Sequence, residues 1–187
     1  MRAQPTFRRV GQGGPVNALV IFMAQVGLYL VAGGAVVAWL LARRERRLSF
    51  ALSAVLAVVL VVVCVKVAGT LWTDPRPFVV DGRAPLFAHG ADNGFPSDHT
   101  TLAAAVAGVV VAYRRLLGIG LLAVATAVGV ARVAAHVHHL PDVAAGLVLG
   151  LGCAALAVLL SRKGLAIAHS SRGGHRQPAR EDEVGLT

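Results

Sequence analysis

The chain has 187 residues, of which 56% are hydrophobic and 14% charged, and its mean hydropathy is +0.69. A soluble domain carries about 25% charged residues, so the composition argues against a soluble globular protein, a disordered chain or a disulfide scaffold and points to a one-domain integral membrane protein. The net charge is +9, with arginine supplying 16 of 18 basic residues, but these lie mostly between and after apolar runs, where topology signals and anionic-lipid contacts belong, so membrane lipids rather than nucleic acid are the expected partner.

Residues 1–15, with Arg2, Arg8 and Arg9, precede a first apolar run over about 16–42. A signal peptide has an apolar region of about 7–15 residues. This run is longer and ends in Arg43, Arg44, Arg46 and Arg47, which reads as an uncleaved transmembrane helix with a stop-transfer cluster. Further runs cover about 48–72, 98–113, 116–135 and 142–160. The third is short for a bilayer that needs about 20 residues. The expected fold is an all-α integral membrane protein, a bundle of about five to six transmembrane helices spanning 16–161 with a short helical or irregular outer loop. That loop, about 73–97, carries Asp74, Pro75, Pro77, Asp81, Pro85, Asp92, Asn93 and Gly94. The tail 162–187 lacks apolar periodicity and is expected to be disordered and cytoplasmic. Cys64 and Cys153 sit inside apolar runs and read as core residues. Gly146 and Gly150, four apart, permit close helix packing. The oligomeric state is not encoded in any motif.

The loops sort by charge. If the helices alternate, Arg43–Arg47, Arg114 with Arg115, and Arg162 with Lys163 share one side, cytoplasmic by the positive-inside rule. Asp74, Asp81, Asp92, Asp98 and Asp142 then share the other. The N-terminal arginines, Arg76 and Arg83 count against this orientation, but three separate basic clusters agree with it. The expected location is the cell membrane, with the acidic side facing outward. The dominance of arginine, with abundant Ala, Val and Gly, suggests a GC-rich bacterial source.

Polar groups at membrane depth are costly and mark functional places. Three clusters stand out on the outer side. The first, KVAGTLWTDPRP over 66–77, sets Lys66 in an apolar helix, from which its amine can snorkel towards Arg76. The second, FPSDHT over 95–100, places Ser97 as a helix N-cap with Asp98 and His99 in the first turn, where free N–H groups make an anion site. The third, RVAAHVHHLPD over 132–142, puts His138 six residues after Arg132 and Asp142 four further on, with Pro141 opening a helix. A carboxylate at this spacing orients an imidazole and makes it a better nucleophile. Plain alternatives exist for each: a snorkelling lysine, a capped helix, a satisfied loop histidine. Histidines at 136, 138 and 139 also invite a metal reading, which the nearby arginines oppose. Taken together, the cations, the helix N-terminus and two separated histidines suit a phosphate dianion and its transfer.

These clusters resemble the signature of the type-2 phosphatidic acid phosphatase superfamily: a lysine before an Arg-Pro, then Pro-Ser-Gly-His, then Ser-Arg with five residues to a His and three more to an Asp. Here they read Lys66 with Arg76-Pro77, Pro96-Ser97-Asp98-His99, and Ala131-Arg132 leading to His138 and Asp142. The resemblance implies a metal-independent lipid phosphatase without a cofactor. It makes His138 the nucleophile of a phosphohistidine intermediate, Asp142 its orienter and His99 the general acid. It makes Lys66, Arg76, Ser97, Asp98 and Arg132 the phosphate-binding set. Three departures stand out. The family lysine lies seven positions before the arginine, where this chain has Gly69, and Lys66 is ten before it. Ala131 replaces a serine and Asp98 a glycine. Asp98, with Phe78 and Phe95 beside the first two motifs, resembles the branch acting on undecaprenyl diphosphate, whose spent carrier is released on the outer leaflet. Phosphatidate, phosphatidylglycerol phosphate or another prenyl diphosphate are the alternative substrates. A non-catalytic lipid-binding or transport protein is the alternative of another class.

Overall fold

The computed structural model describes residues 14–173, and side chains to residue 167. Five long helices and one short one follow in order: α1 (Pro15–Leu40), α2 (Arg44–Leu71), α3 (Pro77–Asp81), α4 (Asp98–Tyr113), α5 (Arg115–Ala134) and α6 (Leu140–Gly173). The first four apolar runs match α1, α2, α4 and α5 within two residues at most ends; α2 begins four residues early, on the basic cluster itself. The fifth differs: α6 runs on to Gly173, because the pair Arg162–Lys163 ends apolarity without removing helix propensity. The segment 1–13, and the part of the tail from 174 on whose disorder was expected, lie outside the described residues.

Four helices, α1, α2, α5 and the Leu140–Ile167 part of α6, are long and apolar enough to cross a membrane. Their outward side chains are apolar too, among them Leu19, Val36, Val55, Val59, Ile119, Val148 and Leu159. In water that belt would drive aggregation, whereas hydrocarbon tails solvate it. The chain is a multi-pass membrane protein.

The 16-residue helix α4 packs against α1, α2, α5 and α6 and forms the centre of the bundle. Its 16 residues rise about 24 Å, less than the roughly 30 Å of a hydrocarbon core. Ser97 opens it and Arg114 closes it. The alanines at 103, 104, 105 and 107 are fully buried, and this small-residue surface lets neighbouring helices approach. Gly146 and Gly150 serve that contact. A Cβ at Gly146 would lie 3.0 Å from Thr101 Oγ1, and one at Gly150 would collide with the Thr101 carbonyl. The pair therefore packs α6 on α4 inside the bundle. Cys64 and Cys153 are free thiols, beside Val61 and Ala105 in one apolar cluster.

The three basic clusters meet at one end. Arg43, Arg46 and Arg114 line one cavity with Tyr113, and Arg46 and Arg162 line another with the same tyrosine. The Arg114 Nη1 donates to the Leu41 carbonyl at 2.9 Å. Arg76, Arg132 and the aspartates of the 73–97 loop gather at the opposite end.

Candidate active site

The site forms where the outer loop, the start of α4 and the α5–α6 turn meet. Arg76 stands at the N-cap of α3, with Pro77 next. Its side chain is 5% exposed. Its Nε donates to Asp92 Oδ1 at 2.8 Å, Nη1 to the Val137 carbonyl at 2.9 Å, and Nη2 to the Asn93 carbonyl at 3.3 Å. Burial alone would raise the Asp92 carboxyl, but the bond and charge of Arg76 hold it below its ordinary value.

The Arg76 Nη1 also lies 3.2 Å from His138 Nε2. A guanidinium has no acceptor, so the His138 Nε2 presents its lone pair and the ring proton sits on Nδ1. Desolvation pushes the His138 imidazole below its ordinary pKa; Asp142 opposes this, and Arg132 and Arg76 reinforce it. The side chain is 3% exposed and neutral at neutral pH, with its basic nitrogen facing Arg76.

His138 reaches that position through a reversal after α5. His136 adopts φ +65, a left-handed conformation that few non-glycine residues take, and its Nε2 lies 2.8 Å from Asp81 Oδ2. The turn sends His138 inward and leaves His139 half-buried, with Nδ1 2.6 Å from Asp74 Oδ2. The three neighbouring histidines thus diverge to three partners instead of converging on one ion. A different grouping, Asp74, His139 and Asp142, offers ligand atoms within 4.8 Å of one another.

Asp142, 1% exposed, lies in the first turn of α6 behind Pro141. Its Oδ2 accepts the His139 backbone N–H at 2.8 Å. The same oxygen is 3.4 Å from His138 Nδ1, an ion-pair distance at which no hydrogen bond is formed. Catalytic hydrogen bonds are often long without substrate and shorten when it binds.

Arg132, 3% exposed on the last turn of α5, has unpartnered donors. Its Nη1 donates to the Ala24 carbonyl of α1 at 3.3 Å and its Nη2 to His89 Nε2 at 2.7 Å, while Nε is buried without a partner. Among the described residues, three of its five N–H groups have no partner. A buried cation with unpaired donors and no carboxylate ion pair among the described residues costs free energy that an anion would recover.

Ser97 stands at the α4 N-cap in backbone geometry, but its hydroxyl pairs with Thr100 Oγ1 at 3.0 Å instead of a backbone N–H. Its own N–H donates to the Asp142 carbonyl at 3.2 Å, tying the starts of α4 and α6 together. The expected side-chain cap is thus not made, and the first-turn N–H groups of α4 stay open to a ligand. His99 follows, half-buried and in electrostatic reach of Arg132, His138, His89 and Arg76.

Lys66 and Asp98 are placed differently from the rest. Both are exposed and line a cleft of about 200 Å³ between α2 and α4 with Val58, Val61, Val62, Val65 and Leu102. Asp98 still bears electrostatically on Arg132. Lys66 is not drawn into the arginine–histidine cluster. Relative to Gly69 it sits about 60° round the helix and about 4.5 Å further from its outer end. The Gly69 position itself faces the loop: its carbonyl accepts from Asn93 Nδ2 at 3.0 Å, and a Cβ there would lie 3.3 Å from the Phe95 carbonyl.

A sequence profile of the PAP2 superfamily matches residues 50–165. The chain belongs to the PAP2 superfamily. It is 36% identical over 137 residues to the bacitracin transport permease protein BcrC of Bacillus licheniformis, covering 73% of this chain and 67% of that protein. It is 35% identical over 81 residues to the undecaprenyl-diphosphatase BcrC of Bacillus subtilis, covering 43% and 42%. It is 33% identical over 150 residues to the putative undecaprenyl-diphosphatase YbjG of Escherichia coli, covering 79% and 75%. Among solved structures, Aquifex aeolicus LpxE has the same fold (TM-score 0.60, 24% identity, 78% of this chain and 87% of that one). So does a PAP2-type phosphatidylglycerolphosphate phosphatase from Bacillus subtilis (TM-score 0.56, 22% identity, 81% and 79%). The chain is a PAP2-type membrane lipid phosphatase.

Proposed function

We propose that this phosphatase hydrolyses a lipid diphosphate, undecaprenyl diphosphate in the first place, to the lipid monophosphate and inorganic phosphate at the extracytoplasmic surface. The observation that carries the chemistry is an unprotonated His138 Nε2 beside the buried Arg76 and in electrostatic reach of the buried Arg132, whose Nε has no partner among the described residues. The choice of substrate rests on the relatives named as undecaprenyl-diphosphatases. The valine-lined cleft bordered by Asp98 supports a lipid rather than a soluble phosphate ester, since it offers an apolar chain a groove beside the start of α4. The outward orientation rests on the basic clusters gathered at the opposite end.

In this reading Arg76, Arg132 and the first-turn N–H groups of α4, next to Ser97, hold the terminal phosphoryl oxygens. The His138 Nε2 attacks the terminal phosphorus as the bridging P–O bond breaks. His99 gives its proton to the departing lipid monophosphate. Water then attacks the phosphohistidine, passing its proton to His99, and inorganic phosphate leaves as His138 is restored. Asp142 steadies the imidazole ring while it carries positive charge. Burial and the charges of Arg132, His138, His89 and Arg76 disfavour a proton on His99, and the substrate's own negative charge offsets them.

Purified protein assayed for phosphate release should prefer undecaprenyl diphosphate over phosphatidate and phosphatidylglycerol phosphate. Alkaline quenching of the parent chain should trap a phosphoprotein that survives alkali but not acid, and the same quench of His138→Ala should yield none. Equal turnover of all three lipids would remove the substrate preference, and full turnover by His138→Ala would remove the nucleophile.

A further inference from the structure

Nothing in the superfamily signature accounts for what holds Arg132. Among the described residues no carboxylate bonds it; its Nη2 instead meets His89 Nε2 at 2.7 Å. Because a guanidinium only donates, His89 Nε2 is unprotonated and the ring proton lies on Nδ1. That nitrogen faces the Gly90 carbonyl at 3.2 Å, which suits the same tautomer. Desolvation lowers the His89 pKa, the Gly90 bond opposes this, and the charges of Arg76 and Arg132 add to it, so the neutral acceptor persists at neutral pH.

The ring is held on several sides. It meets the edge of the His138 ring at a centroid distance of 6.3 Å and the Phe87 ring at 6.1 Å. Phe87 and Leu86 pack against Ala131, Ala135 and Val137, and the Leu86 N–H donates to the Ala135 carbonyl at 3.1 Å. Further along the same loop, Asp92 and Asn93 hold Arg76. One stretch of outer loop therefore sets both arginines, with a neutral acceptor for one and an anionic acceptor for the other. A carboxylate at His89 would neutralise Arg132 and compete with an anionic ligand. A neutral imidazole fixes the guanidinium and leaves its charge uncancelled.

We infer that His89 is a positioning residue for phosphate recognition, its Nε2 lone pair fixing the Arg132 guanidinium so that the remaining N–H groups face the phosphoryl oxygens. The inference rests on the reading of Arg132 as a phosphate ligand. His89 acts through Arg132 and does not itself touch the reacting atoms.

The test measures orthovanadate and inorganic phosphate binding to the purified full chain, by calorimetry or inhibition, in four variants. His89→Ala should bind about tenfold more weakly, the size of one charge-assisted hydrogen bond. His89→Gln, which keeps a neutral acceptor, should bind within about threefold of the parent on the same scale. Arg132→Ala should lose binding, and adding His89→Ala to it should cost nothing more, as expected of residues acting as one unit. Unchanged or tighter binding by His89→Ala would overturn the inference, the latter marking His89 as a plug that phosphate must displace. A His89→Gln variant as weak as His89→Ala, or additive losses in the double variant, would overturn it as well. If Arg132→Ala weakens binding and His89→Ala does not, only the role of His89 falls. If Arg132→Ala binds as the parent does, the phosphate site itself is misassigned.

Discussion

The two ends of the bundle use the same residue type in opposite circumstances. At one end Arg43, Arg44, Arg46, Arg114 and Arg162 are exposed, and Arg114 and Arg162 donate to helix-end carbonyls. At the other, Arg76 and Arg132 are buried and pinned by loop and backbone groups from distant parts of the chain. In a high-dielectric surface layer a guanidinium is a weakly interacting charge that sets topology. Desolvated and fixed, it becomes a directional anion receptor. Charge alone therefore does not mark the site. Burial together with uncommitted donors does.

That contrast is most exposed to an arginine-to-lysine exchange. Lysine keeps the charge and loses the planar fork. Arg132→Lys or Arg76→Lys should lower kcat/KM for phosphate release by about 100-fold, whereas Arg46→Lys should stay within about twofold. Equal losses at both ends would erase the distinction. A smaller effect is the pH profile. His138 must be unprotonated to attack, and burial lowers its pKa, so the acid limb of kcat/KM should fall below the ordinary histidine value of about 6.5. Asp142 raises that pKa, so Asp142→Asn should be slower and have its acid limb at still lower pH. A limb that stays in place or moves upward would show that another group is titrating.

The smallest effect belongs to the other end. The Tyr113 hydroxyl bonds Ser49 at 2.7 Å and Ser53 at 2.9 Å, and Ser53 bonds Ser161 at 2.5 Å, linking α2, α4 and α6. Tyr113→Phe should cost about 1 kcal/mol of stability in denaturant titration and leave the phosphatase turnover unchanged. A matching loss of turnover would couple the two ends.

The helices were largely legible because punctuation accompanies hydropathy: Ser97 and Arg114 bound α4, and Pro141 opens α6. The end of α6 was not, because hydropathy reports where lipid is tolerated rather than where helical hydrogen bonding stops. Arg132, His138 and Asp142 were legible because they lie within eleven residues and one turn joins them. His89 and Asp92 were not. Each bonds an arginine 16 or 43 residues away, a separation no local period encodes. Lys66, expected at the phosphate, lines the lateral cleft together with Asp98.

By itself, then, the sequence determined the membrane class, the helix order and the two ends of opposite charge, since these depend on hydropathy and on local punctuation. Only the tertiary structure decided which arginines keep uncommitted donors, which histidine nitrogen carries the lone pair, and that a loop histidine holds Arg132. Those properties come from desolvation and from partners brought together across the chain, and neither exists until the helices have packed.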